Sequence, residues 1–338
     1  MPHILLLGAG FSRNWGGWLA DEAFEYLLGH PLIMQDSQLK QILWKHKNTG
    51  GFENALAEIQ TEHNRGVDQK NRLNSLQEAL LQMFADMNNS FVHLPDFIPS
   101  LQDVLTKFDA IFTLNQDLLL ESHYHCNQTI SYSASGKFTT MQSTAYFRKW
   151  DYWQTPGIFN PEVTGIAPHK DQIYKAEWFP TDPVSFKIED RRQPYFKLHG
   201  SCNWRDKEGG QLLVMGGDKG TAIRSHAVLK WYHEQFESYL SIPGTRLMII
   251  GYGFRDDHIN TALIQAAAKG GLQLFIIDPL GVDAIGQNNL TKRPGNIYLP
   301  DNIESALRPI LIGGSRRKVP EIFGKDTSEY AKMMRFFN

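Results

Sequence analysis

Cysteine is nearly missing from this sequence: 338 residues hold two, Cys126 and Cys202, far apart and outside any CxxC pattern. That count excludes a disulfide framework and a four-thiolate zinc ribbon. Long apolar runs are missing too. The longest, Ile4 to Leu7 and Leu247 to Ile250, are strand-sized and far short of the about 20 residues that span a bilayer. No basic stretch precedes the first apolar run, and a glycine turn follows it at once, which is not the layout of a signal peptide. These readings predict a cytoplasmic protein in a reducing setting with no membrane contact. Net charge is almost absent, at -2, which argues against broad binding to phosphate backbones, so direct nucleic-acid binding is not expected. Repeats and low-complexity runs are also lacking.

What is present is an ordinary globular composition, 42% hydrophobic and 21% charged. The length allows two domains or one large α/β domain with insertions, enough chain to bury a core without covalent staples. Short apolar runs bounded by glycine read as buried parallel strands at His3 to Leu7, Asp109 to Leu114, Tyr195 to Leu198, Gln211 to Met215, Arg246 to Gly251 and Leu272 to Asp278, with Gly295 to Leu299 as a last strand. Helical spacing marks Trp18 to Leu28, two or three helices between Ser37 and His93, Leu118 to Tyr124, Ala227 to Leu240, Asp256 to Lys269 and Ser328 to Phe336. Strands alternating with helices predict an α/β, Rossmann-like, mostly parallel sheet with helices on both faces, plus a helical insertion layer. The expected organisation is one domain, 1–338. Its core is 1–36, 105–125 and 195–312, a helical insertion fills 37–104, an aromatic-rich insertion fills 126–194, and a tail and helix fill 313–338.

Five constellations carry chemistry. Gly8-Ala9-Gly10-Phe11-Ser12 ends the first strand and suits either a pyrophosphate or a tight turn; Arg13 stands where a third glycine of GxGxxG would be. Asn115-Gln116-Asp117, with Glu121 a turn on, puts polar side chains at the carboxyl edge of the sheet, for a ligand or for helix capping. His199 before Gly200 can reach a ligand and titrates near neutrality, or is satisfied by the turn. Gly251 to Asp256 is a second glycine-rich crossing, and Asp278 is an acid at a strand end that suits a ribose hydroxyl or a turn cap. His123-Tyr124-His125-Cys126 does not place its ligands on one helix face, so no metal site is expected there. Arg316-Arg317-Lys318 reads as a solvated loop, and the aromatic residues of 146–153 as core.

In order along the chain, GAGFS (Gly8 to Ser12), TLNQDLLLE (Thr113 to Glu121), KLHGS (Lys197 to Ser201) and IIGYGFRDDHIN (Ile249 to Asn260) resemble the sirtuin family, in particular its prokaryotic branch found in anti-phage defence. The resemblance covers the nucleotide-binding core and not 37–104 or 126–194. It implies that Gly8, Ala9, Gly10 and Ser12 line the pyrophosphate of NAD. It gives Asn115 the nicotinamide ribose and the attacking water, Asp117 the carboxamide, His199 a ribose hydroxyl as base, and Gly251 and Asp278 the adenosine half. Asn115, His199 and Asp117 are thus the expected catalytic residues. The chain departs from deacylases of that family in three ways. Leu114-Asn115-Gln116-Asp117 stands for Gln-Asn-Ile-Asp, the four zinc cysteines are missing, and Asn14 to Trp18 stands for Pro-Asp-Phe-Arg.

Cleavage of the nicotinamide–ribose bond passes through an oxocarbenium-like transition state, and without a zinc-framed peptide groove water is the expected acceptor. The function the resemblance implies is therefore an NAD+ hydrolase, a triggered anti-phage effector that depletes NAD, with NAD as substrate and no zinc or other metal. Control by homo-oligomerisation, or by a separate partner such as a DNA-translocase-type ATPase or an Argonaute-type protein, is expected. Two other readings stand beside it: an NAD-dependent protein deacylase, and a non-catalytic module that binds NAD or ADP-ribose.

Overall fold

The computed structural model describes residues 1–66, 69–125, 128–132, 138–142, 149–160, 176–216, 219–290 and 300–338. Seven parallel strands form one central sheet: β1 (His3–Leu7), β2 (Ala110–Thr113), β3 (Tyr152–Gln154), β4 (Arg192–Lys197), β5 (Arg246–Ile250), β6 (Gln273–Ile277) and β7 (Leu311–Ser315). Their spatial order is β7-β6-β5-β1-β2-β4-β3. Leu7 pairs with Ile250 on one side and Thr113 on the other, and Thr113 pairs with Lys197, so these strands end at one level.

Both sheet faces are covered, as the apolar runs require. On β1, Leu5 and Leu7 belong to one core and Ile4 and Leu6 to the other, the period-two alternation of a strand. The Leu5 face packs under α1 (Ala9–Arg13), α2 (Ala20–Gly29), α3 (Pro31–Met34), α4 (Ser37–His46), α5 (Gly51–Asn64), α6 (Lys70–Val92) and α7 (Pro99–Leu105). The Ile4 face is covered through α8 (Lys219–Ser225), α9 (Ala227–Ser241), α10 (Asp257–Lys269) and α11 (Pro300–Leu307). Near the C-terminus α12 (Val319–Gly324) and α13 (Thr327–Met334) return to the first face. The expected α/β fold and helical layer are both present, the layer as the three longer helices α4, α5 and α6. Among the described residues no helix is long and apolar enough to cross a membrane.

The structure departs from the sequence reading at three strands. Gln211–Leu213 pairs antiparallel with Gly200–Arg205 in a hairpin outside the sheet. The chain turns back at Asp206 to Gly210, and Gly200, at φ +74°, stands at the open end of the hairpin, where a Cβ would strike the carbonyl of Leu212. β3 lies inside the aromatic-rich segment, where Tyr152 and Trp153 are buried. β7 is hidden in sequence by Gly313-Gly314, which reads as a turn; a Cβ on Gly313 would sit 2.7 Å from the ring of Phe275, so the glycine makes room for that ring. Gly295 to Leu299 lies outside the described residues.

The chain leaves β1 toward β2 on one side and returns to β5 on the other, which makes the carboxyl ends of β1 and β5 the switch point where open α/β sheets bind ligands. Two glycine turns meet there backbone to backbone. Gly10 N–H donates to the Gly251 carbonyl at 2.9 Å and Gly8 N–H to the Ile250 carbonyl at 3.0 Å. A Cβ on Gly10 would lie 2.7 Å from Gly251 Cα, and Gly251 itself holds φ +65°. Gly16 (φ +88°) has the same backbone requirement with open space around it. We expect Gly16→Ala to lose only the left-handed strain, about 1–2 kcal/mol, and Gly251→Ala to lose clearly more, read by denaturant unfolding. Equal losses would show that the close approach adds nothing.

Candidate functional site

The carboxyl edge of the sheet gathers the polar residues that the motifs contain. At the end of β2 the backbone N–H of Asn115 donates to Thr113 Oγ1 at 3.0 Å. Asn115 Nδ2 donates to Ser12 Oγ at 3.0 Å, and Ser12 Oγ donates to Asp117 Oδ2 at 2.7 Å. The other Asp117 oxygen accepts from the N–H of Leu119 at 3.0 Å. A hydroxyl has one proton to donate. Ser12 gives it to Asp117, so it must accept from Asn115, and only the amide nitrogen of Asn115 can donate. The asparagine amide is therefore fixed with Oδ1 as its uncommitted end.

Beneath this relay lies Lys197, the last residue of β4, fully buried. Its ammonium is 2.5 Å from the Asp117 carbonyl and 2.6 Å from Glu121 Oε1. Burial pushes the Glu121 carboxyl up from its ordinary pKa while Lys197 pulls it down. Gln116 points elsewhere: its Nε2 donates to the Val214 carbonyl at 2.7 Å, and its own carbonyl accepts from the Cys202 N–H at 3.1 Å. The Cys202 thiol is pushed by burial up to about 11, which leaves it inert at neutral pH.

His199 follows β4 directly and is 3% exposed. Its Nε2 lies 3.0 Å from Nε2 of His258, on the first turn of α10. Asp256 precedes that helix, and its Oδ1 accepts from Lys219 at 2.7 Å; Lys219 also reaches Glu53 of α5 at 3.0 Å. Behind them His233 of α9 meets the Leu198 carbonyl through Nε2 at 3.0 Å. Burial drives His199 well below the ordinary histidine value, against the opposing pull of Asp256. Burial also lowers His258, and it brings His233 down to about 4. Asp256 stands at about 2, because His199, Lys219 and His258 outweigh the burial that pushes it up. The group is thus two facing neutral imidazoles beside a carboxylate held ionised. The turn that delivers Asp256 and His258 is braced by Asn260, whose Nδ2 donates to the Phe254 carbonyl at 2.8 Å and whose Oδ1 accepts from Tyr252 Oη at 3.0 Å. Phe254 is held at φ +52° within it, the kind of strained backbone that clusters at functional turns.

The remaining expected residues share the same edge. Ala9 is exposed between the packed Gly8 and Gly10. Gly251 ends β5, and Asp278 ends β6, where its Oδ1 accepts from the Leu280 N–H at 2.9 Å and burial raises its carboxyl. From β6 to β4 the edge spans four strand spacings, about 19 Å, so Asp278 and His199 lie at opposite ends with Asn115 and Ser12 between. Ser12, Asn115 and Asp117 form one hydrogen-bonded unit; His199 is not bonded to it among the described residues. Sequence reasoning quoted Asp256 and His258 within a motif without giving either a catalytic or metal-binding role, and it missed His233, Lys219 and Glu53. The signal for the first two was an acid and a histidine directly after a glycine turn at a strand end. His123 is buried with Nε2 2.8 Å from the Phe91 carbonyl; Cys126 lies outside the described residues. Trp150 donates to the Thr106 carbonyl at 3.0 Å, and Arg316 pairs with Asp283 at 2.5 Å on the surface.

Three histidines held below their ordinary value bind fewer protons in the fold than in the unfolded chain. Stability is then full above about pH 6.5 and falls as pH drops toward 4, by up to about 1.4 kcal/mol per pH unit for each histidine that stays neutral. We expect the melting temperature, measured in EDTA, to fall steadily from pH 7 to pH 5 and His233→Gln to flatten that slope. A flat wild-type profile would contradict it.

Comparison with known proteins bears on this edge. The sequence model of the SIR2-like domain matches residues 109–293, more than half of the chain. The matched stretch contains Asn115, Asp117, His199, Gly251, Asp256, His258 and Asp278. No curated protein matches the chain. Its sheet, its switch-point glycines and this match agree: the chain belongs to the SIR2-like domain family, whose members are NAD-dependent enzymes.

Proposed function

We propose that this protein hydrolyses NAD+ at the nicotinamide–ribose bond, giving nicotinamide and ADP-ribose. The observation that carries the reading is the fixed orientation of Asn115. Ser12 and Asp117 lock its Nδ2 inward, which leaves Oδ1 to accept a hydrogen bond from a water and turn that water's lone pair toward the ribose C1′. The C1′–N bond breaks with its electron pair passing to the nicotinamide ring, which leaves as a neutral molecule without needing a proton. Water bonds to C1′ and releases one proton. His199 is neutral at physiological pH, held so by burial, and serves as the base that takes a ribose hydroxyl proton or the water proton. His258 stands 3.0 Å away to share it. Proton transfer of this kind is worth about 10²–10⁴-fold.

The substrate lies along the carboxyl edge, its pyrophosphate over Gly8, Ala9, Gly10 and Ser12, its carboxamide toward Asp117, and its adenosine half toward Gly251 and Asp278. The small residues of the first turn leave room for that approach. With two cysteines in the chain, a four-thiolate zinc module is short of two ligands, which favours water over an acyl-lysine as acceptor. In the cell the reading is a triggered anti-phage effector that depletes NAD, held in check by oligomerisation or by a separate DNA-translocase-type ATPase or Argonaute-type partner.

The test is to incubate the protein with NAD+, alone and with candidate partners, and follow nicotinamide and ADP-ribose. Release of both is expected, with Asn115→Ala and His199→Ala lowering the rate at least about 100-fold while circular dichroism stays unchanged. No nicotinamide under any condition would overturn the reading. Acetyl-ADP-ribose formed only with an acylated peptide would show a deacylase instead, and full biological function in both variants would show a binding module.

A further inference from the structure

The histidine pair at the edge has a geometry that hydrogen bonding alone does not require. His199 Nε2 and His258 Nε2 face each other at 3.0 Å, and a carboxylate oxygen of Asp256 lies within 4.8 Å of both. Two nitrogens on one tetrahedral zinc ion, each about 2.0–2.1 Å from it, sit about 3.3 Å apart. The rings need to part by only a few tenths of an ångström to hold such an ion. We propose that His199, His258 and Asp256 form a three-ligand site for a divalent transition-metal ion, Zn2+ foremost, and that filling it silences the enzyme by taking Nε2 of His199. The binding half stands on geometry alone; the silencing half rests on the hydrolase reading of His199.

The chemistry of the set supports the ion. Two imidazoles and one carboxylate are the ligands of open zinc sites, which leave a fourth position to water, and imidazole nitrogen favours zinc and its neighbours over Mg2+ or Ca2+. In the ion-free protein one of the facing nitrogens carries a proton and the other accepts it. Binding asks the first ring to move that proton to Nδ1, so both rings stay neutral and each offers a lone pair. The three groups come from two converging turns, one after β4 at Gly200 and one before α10, both fixed by the fold. The ligand set, two imidazoles and one carboxylate, contains no thiolate.

A competitor is built in. The Lys219 ammonium already sits 2.7 Å from Asp256 Oδ1 and is shared with Glu53 at 3.0 Å. It weakens the site by occupying one carboxylate oxygen, and Glu53 can retain it when the ion enters. That makes the helical layer, through α5, a party to the affinity of the site.

The experiment starts from the full-length protein stripped with a chelator. Co2+ is added as a spectroscopic stand-in and Zn2+ is measured by calorimetry. One ion per chain is expected, with the visible absorption of four-coordinate Co2+. His258→Ala and Asp256→Asn should each weaken binding about tenfold or more, and Lys219→Met should tighten it about tenfold. Asn115→Ala should bind Co2+ like the wild type. Stoichiometric Zn2+ should stop nicotinamide release, and chelator should restore it. No saturable one-to-one binding in the wild type, or unchanged binding in both His258→Ala and Asp256→Asn, overturns the site. If Co2+ binds as expected but no NAD+ is ever cleaved, the site stands and the hydrolase reading falls. If NAD+ is cleaved at the same rate with the site filled, the silencing falls.

Discussion

The buried ammonium of Lys197 is the interaction on which the site depends. It ends β4, two residues before His199, and its donors go to the turn after β2, at the Asp117 carbonyl and Glu121. A single cation thus ties the two loops that present the expected chemistry. Removing one partner of such a buried pair costs about 3–5 kcal/mol, because the other charge is left uncompensated. Here the cost would fall on geometry as well as stability, since the position of Asp117 fixes Ser12 and Ser12 fixes the amide of Asn115. The lysine touches nothing in the relay beyond a backbone carbonyl, yet the direction in which Asn115 offers its oxygen follows from it.

A second tier of control runs through the opposite loop. His258 and Asp256 are set by the turn after β5 and face His199 from the turn after β4, and Lys219 connects the first of these turns to α5 of the helical layer. The helices that distinguish this chain from a bare nucleotide-binding sheet therefore reach the chemistry by one ion-pair chain.

Much of the frame was legible in the residues. His3–Leu7, Arg246–Ile250 and Gln273–Ile277 are apolar runs bounded by glycine, and all three became central strands. Their period-two burial on both faces left no other arrangement. The order of the motifs placed Asn115, His199 and Gly251 on one edge, the acid at a later strand end added Asp278, and the register puts them there. What the sequence hid has physical reasons. Gly313-Gly314 resembles a turn because its glycines serve the ring of Phe275 from the neighbouring strand, a contact no local pattern encodes. Tyr152–Gln154 is too short for a period to show and owes its strand to β4. Lys219 and Glu53 are 166 residues apart, and only the fold makes them neighbours. The pairing of His199 with His258 likewise spans 59 residues and the crossover from β4 to β5.

The strand order has a consequence for synthesis. β1 is made first but lies in the middle of the sheet, and its two neighbours are β2 and the much later β5. Parallel pairings of such long sequence separation form slowly, and they wait for the distant segment to leave the ribosome. The Gly10–Gly251 contact, the histidine pair and the Asp278 end of the edge are all missing from a chain that stops short of β5. A nascent chain therefore carries an incomplete crevice until β5 has been made. Late closure of the sheet leaves every unfinished copy without the assembled edge.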